Sequence, residues 1–74
     1  MTLRLRGIEI ENLNRYPEPV VLGLRAALDG GVAVVPDPKR SNFYEVRGAQ
    51  QTYYIDVLAN GSKVILLSVW PSVN

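Results

Sequence analysis

The residues able to do chemistry in this 74-residue chain are seven carboxylates and four serines, with no histidine and no cysteine beside them. The carboxylates are Glu9, Glu11, Glu18, Asp29, Asp37, Glu45 and Asp56. Glu45 and Asp56 fall on one predicted sheet face and can approach each other or bracket Arg47. Two carboxylates flanking a cleft would do glycoside chemistry. Two carboxylates on a flat sheet beside Arg47 and Lys63 are better explained as surface ion pairs. Ser41, Ser62, Ser68 and Ser72 have no histidine to activate them. The lack of His and Cys also removes disulfides, thiol chemistry, histidine acid–base catalysis and zinc sites of the usual type. Gly30-Gly31 ends a predicted helix instead of opening one, the wrong polarity for a phosphate loop. No catalytic residue, metal ligand or cofactor is therefore assigned, and a non-enzymatic role is expected.

Composition narrows the partners. The net charge is +1, which gives no bulk electrostatic case for a nucleic-acid or membrane partner. A hydrophobic fraction of 47% against 20% charged indicates a globular chain. Its length suits one small domain over residues 1–74, near the size at which oligomerisation often supplements the core. The stretch Met1 to Arg6 contains no apolar run of signal-peptide length, and no stretch reaches transmembrane length. With no cysteine, a cytoplasmic location is expected.

The elements that would position these groups are legible from spacing. Leu3 and Leu5 alternate with Arg4 and Arg6, then Ile8 and Ile10 with Glu9 and Glu11 at the opposite parity. Gly7, at the switch, suits a bulge or turn. A connector over Asn12 to Glu18 leads to a helix starting at Pro19. Val20, Val21, Leu24, Ala27 and Leu28 lie on one stripe, and Gly30-Gly31 stops the helix. Leu22 faces away from the stripe. Val32 to Val35, ending at Pro36, reads as a short edge strand. Lys39-Arg40 is solvated loop charge, with a phosphate contact as the alternative.

From Asn42 to Trp70 the pattern is a three-strand antiparallel meander. Its hairpins turn at Gly48-Ala49 (type II′) and Asn60-Gly61 (type I′). Those turns place Tyr44 opposite Tyr53, Tyr54 opposite Leu67 and Leu58 opposite Lys63. One face then carries Tyr44, Val46, Gln51, Tyr53, Ile55, Val57, Val64, Leu66, Ser68 and Trp70, and is assigned to the core under the helix. The other carries charges together with an apolar patch of Phe43, Tyr54, Ile65, Leu67 and Val69. One helix covers one face. Five large apolar side chains left wet would each forgo about 1.5–3 kcal/mol relative to burial. That patch is therefore the expected interface, with a second copy or another protein as its partner.

Two alternatives compete. Single-stranded nucleic acid stacks on aromatic, basic sheet surfaces. Here Phe43 and Tyr54 alone would remain as platforms, flanked by Glu45 and Asp56. The other alternative rests on a resemblance. Phe43-Tyr44-Glu45-Val46-Arg47, Tyr53-Tyr54-Ile55-Asp56 and Lys63-Val64-Ile65-Leu66-Leu67-Ser68-Val69 resemble the C-terminal strands of RelE/ParE-type toxins, over less than half of the chain. The resemblance implies a toxin-like fold acting on translation. Family members that cleave ribosome-bound messenger RNA carry a basic residue near the position of Gln51, and His, Arg or Tyr where this chain has Pro71-Ser72-Val73-Asn74. No nuclease residue is carried over. The expected architecture is α+β: one helix on an antiparallel sheet of about four to five strands.

Overall fold

Prolines set the start of the helix. Pro17, extended at φ −55° and ψ 149°, stands just before α1 (Glu18–Asp29), and Pro19 lies in its first turn, where a missing N–H costs nothing. The acidic Glu18 in that turn complements the helix dipole. The computed structural model describes residues 5–58 and 61–73. Leu24, Ala27 and Leu28 are buried, while Val20 and Val21 pack half-buried beside them, so the expected stripe is the core face. Leu22 is exposed on the far side.

The helix ends in a Schellman arrangement. The Val32 N–H donates to the Ala27 carbonyl and the Gly31 N–H to that of Leu28, with Gly31 at φ +74°. A side chain there is strained, so Gly31→Ala is expected to lower stability by about 1–2 kcal/mol in chemical denaturation. An unchanged midpoint would show that the helix end relaxes freely.

Five strands form one sheet: β1 (Glu9–Glu11), β2 (Ala33–Pro36), β3 (Phe43–Arg47), β4 (Gln51–Val57) and β5 (Lys63–Pro71), in the order β1-β5-β4-β3-β2. The α+β class holds, but the sheet is mixed, not antiparallel throughout. β1 runs parallel to β5, with Ile10 beside Val64, whereas β2, β3, β4 and β5 pair antiparallel in chain order. The helix carries the chain from one sheet edge to the other. Leu5 is buried, and Gly7 (φ +75°) turns the chain so that the Ile8 N–H bonds the Leu5 carbonyl. Leu3, expected to alternate with Leu5, lies outside the described residues.

Two hairpin details differ from expectation. Gly48 closes the β3–β4 hairpin instead of opening its turn: its N–H donates to the Gln51 carbonyl at 3.0 Å, and Ala49-Gln50 form the loop. Glycine is required by proximity, since a Cβ there would stand 2.8 Å from that carbonyl oxygen. The register therefore shifts by two, pairing Val46 with Tyr53 and Tyr44 with Ile55, which preserves every face. At the second hairpin Leu58 donates to Lys63 as expected, and Gly61 has φ +68°. Asn60, the other half of that turn, lies outside the described residues.

The larger correction is a bulge. Ile55 pairs with Leu66 but Tyr54 with Ser68, leaving Leu67 as the extra residue of β5. Past it the faces reverse. Val69 pairs with Tyr53 and packs on the core, and Trp70 pairs with Thr52 on the opposite face, 38% exposed. The connector fixes this irregularity. Asn14 Nδ2 and the Tyr16 hydroxyl both donate to the Leu67 carbonyl, at 2.9 and 3.3 Å. Asn12 in turn bonds both the N–H and the carbonyl of Tyr16. Losing both Asn12 bonds in Asn12→Ala should cost about 1–2 kcal/mol, read from denaturant midpoints. No change would mean that the connector contributes nothing to holding the bulge.

The core joins Leu24, Ala27 and Leu28 to Val46, Tyr53, Ile55, Val57, Val64 and Leu66, together with Leu5 and Ile8. All of its sheet members come from one face.

Candidate functional site

The sheet face turned away from α1 is built by alternation along β3, β4 and β5. Cross-strand pairing arranges it in rows: Arg47, Thr52 and Trp70; then Glu45, Tyr54 and Ser68; then Phe43, Asp56 and Ile65. Of the five residues expected there, Phe43, Tyr54 and Ile65 belong to the face. Phe43 and Tyr54 pack ring against ring, with centroids 5.7 Å apart. Leu67 is the half-buried bulge residue, and Val69 belongs to the core side. Trp70, assigned from alternation to the core, takes the place of Val69. The signal that could have found it is Ser68: strict alternation buries that hydroxyl under the helix, and a one-residue slip frees it.

The charges are sorted. Glu45 accepts from Arg47 Nε at 3.1 Å, the surface ion pair expected of it. Lys63 lies 3.5 Å from Glu9 and 3.6 Å from Glu11. Asp56, half-buried on the middle strand between Phe43 and Ile65, has no ion pair among the described residues. Glu45 and Asp56 do not form a catalytic pair across a cleft. They lie on different rows of an open sheet, and Glu45 is already bound. Among the described residues no cluster of three or more acidic side chains is placed to hold a metal ion.

One corner is built by the loop from Asp37 to Asn42. The Tyr54 hydroxyl donates to Asp37 Oδ2, the Lys39 N–H donates to Oδ1 at 2.8 Å, and the Arg40 guanidinium lies 4.9 Å from the Phe43 ring centroid. Arg40 is therefore a partner of an aromatic ring and not only solvated charge. The Tyr54 hydroxyl, then the Lys39 N–H, hold the Asp37 carboxyl below its ordinary value of 3.8. The same bond holds the Tyr54 phenol above its ordinary 10.0. At the far end of α1, the Gly7 N–H and then Arg25 likewise lower Asp29. Arg25 bridges Asp29 to the Ile8 carbonyl.

The sign of the pH dependence follows. Asp29 and Asp37 bind protons more weakly folded than unfolded, so their contribution is present above about pH 4 and is lost as pH falls through their folded values. Tyr54 acts in the other direction, its contribution lost as pH rises above 10. Asp37→Asn is expected to flatten the acid limb of the melting temperature against pH. An acid limb identical to that of the unaltered chain would show that the Tyr54–Asp37 bond is unimportant.

Two grooves flank the β3–β4 hairpin. One, about 400 Å³, lies on the helix-free side between Glu45, Arg47, Thr52, Trp70, Ser72 and Val73. The Thr52 and Ser72 hydroxyls are 2.9 Å apart, and Ser72 donates to the Gly48 carbonyl at 2.7 Å, so these polar groups serve one another. The other groove, about 560 Å³, runs between α1 and the hairpin tip past Val20, Gly23, Ala26 and Tyr53. It has no charged lining residue, and Tyr53 closes against Gly23 so tightly that a Cβ on Gly23 would collide with its hydroxyl. Burial holds the Tyr53 phenol above its ordinary range.

No helix among the described residues is long and apolar enough to cross a membrane. No protein-family model and no curated protein sequence matches the chain.

Proposed function

We propose that this chain is a non-enzymatic protein–protein interaction module that pairs with a second copy of itself through the helix-free face of its sheet. The observation that carries the reading is the one-sided fold. α1 covers the core side, while Phe43, Tyr54, Ile65 and Trp70 stand on a side that no helix among the described residues covers. Apolar side chains left at the surface, here a 38% exposed Trp70 and half-buried Phe43, Tyr54 and Ile65 with polar groups among them, are characteristic of interaction sites. The face is presented by the meander of the last three strands, and it carries both signs of charge, which suits a surface meeting its own copy.

Equilibrium sedimentation of the purified chain tests this directly. A dimer at tens of micromolar is the expected result. A monomer persisting to millimolar concentration would overturn the reading.

A second reading gains from the bulge. With Trp70 outward, three aromatic side chains share one face, the requirement for stacking single-stranded nucleic acid. The acids oppose it: Glu45 and Asp56 flank the contacting Phe43 and Tyr54 rings, and Glu11 lies alongside Ile65. An oligothymidine titration at low salt separates the two. The self-association reading expects no binding. Binding that weakens steeply with salt would favour the nucleic-acid reading.

A further inference from the structure

Hydrogen-bond phase decides which backbone groups lie along the free edges of the sheet. In an antiparallel pair, residues that bond each other alternate with residues whose N–H and C=O point away. The Asp37 N–H donates to the Phe43 carbonyl, so Ala33 and Val35 of β2 bond β3, while Val34 and Pro36 point outward. The Ser72 N–H donates to the Gln50 carbonyl, so Ser68 and Trp70 bond β4, while Val69 and Pro71 point outward. β1 covers β5 only from Lys63 to Ile65, which leaves that upper stretch as a second edge. The Leu58 N–H donates to the Lys63 carbonyl, which turns Val64 toward β1. Val64 stands beside Ile10 and so bonds Glu9 and Glu11, which leaves the backbone groups of Ile10 pointing outward.

Among the described residues no strand lies beyond Val34, Val69 or Ile10. Each of the three presents an N–H and a C=O, and the outward positions two places away are closed. Beside Val34, Pro36 has no N–H, and the Val32 N–H donates to the Ala27 carbonyl at 3.3 Å. Beside Val69, Pro71 has no N–H, and the Leu67 carbonyl is taken by Asn14 and Tyr16. Beside Ile10, the Ile8 carbonyl accepts from Arg25 and the Ile8 N–H donates to the Leu5 carbonyl. On its other side the Asn12 carbonyl accepts from the Arg15 N–H at 3.2 Å.

A ladder needs bonds at successive outward positions. A second β2 running antiparallel to the first would bond through residues 34 and 36 of both copies, with four bonds if each residue kept its N–H. Proline at 36 removes two of the four, and its ring stands where the missing N–H would be. We infer that Pro36 and Pro71, with the caps from Arg25, Asn14 and Tyr16, close this sheet to strand addition, by a second copy or by an extended peptide. A protein partner then docks on a face of the sheet or on the helix. This holds whether or not the helix-free face meets a second copy.

Amide hydrogen exchange tests it on the unaltered chain. The Ile10, Val34 and Val69 amides are expected to exchange about tenfold or more faster than their bonded neighbours Glu11, Val35 and Trp70, at every protein concentration. Slowing of any of the three as concentration rises would show that an edge pairs, and would overturn the inference. A chain that sediments as a monomer while these amides stay fast removes the self-association reading alone. Pro36→Val supplies the opposite test. It is expected to pair edge to edge, its Val34 amide slowing about tenfold or more between low and high micromolar concentration. Pro38→Val, in the loop past the strand, should leave that amide fast. A folded Pro36→Val chain whose Val34 amide stays fast at high concentration would also overturn the inference. Should that variant lose its circular dichroism spectrum, the three amides of the unaltered chain still decide.

Discussion

Leu24→Ala is expected to unfold roughly 10 °C or more below the unaltered chain at the same protein concentration. Leu24 is fully buried and belongs to the cluster with Val46, Ile55, Val64 and Leu66, so its truncation removes both transfer free energy and packing partners. Such losses run at about 2–5 kcal/mol. A domain of this size has only about 5–15 kcal/mol of stability, and each kcal/mol moves its melting temperature by about 4–8 °C. The effect should be large because α1 is the sole helix over the sheet among the described residues, and Leu24 stands at its centre. A melting temperature within 2–3 °C of the unaltered chain would mean that the helix does not carry the core.

The second large effect is on association. Ile65→Asp places a carboxylate next to Asp56 on the adjacent strand, in the middle of the helix-free face. In the self-association account this buries an unpaired charge beside another, which costs several kcal/mol, and dimerisation should weaken at least a hundredfold. The monomer itself should keep its fold, because Ile65 faces away from the helix and is absent from the core cluster. Sedimentation paired with circular dichroism checks both halves. A variant that dimerises like the unaltered chain would remove Ile65 from the interface, and one that loses its secondary structure would show that this face is needed for folding.

Much of the architecture is legible in the residues. The stripe from Val20 to Leu28, the prolines before it and the paired glycines after it define α1 almost to the residue, because local sterics and burial point the same way there. Alternation also gives the faces of β3 and β4 correctly, even though the first hairpin turns so that its register differs by two residues from the one a Gly48-Ala49 turn predicts. A shift of two leaves every side chain on its own side. A shift of one does not, and that is why the bulge mattered. In Val64-Ile65-Leu66-Leu67-Ser68-Val69-Trp70 nearly every position is apolar, so alternation has little contrast. The irregularity is instead fixed from a distance, by Asn14 and Tyr16 on the Leu67 carbonyl. Alternation consequently puts Val69 outside and Trp70 inside, the reverse of their positions. Periodicity could not show that β1 runs parallel to β5 either, since it gives faces and not neighbours. Alternation alone puts Phe43, Tyr54 and Ile65 on the helix-free face, where they lie. The contact of Asp37 and Arg40 with the two rings depends on how the Asp37–Asn42 loop returns over the sheet, which no local pattern records.

Trp70 is the only tryptophan, and it stands on the face held to meet a second copy. Its fluorescence therefore reports that face alone. If this face closes on another copy, diluting the chain from high to low micromolar concentration should move the Trp70 emission to longer wavelength, with a midpoint matching the dimer dissociation seen by sedimentation. An emission maximum that stays fixed across the dilution while the sedimenting mass falls from dimer to monomer would contradict the account, because association would then use some other surface.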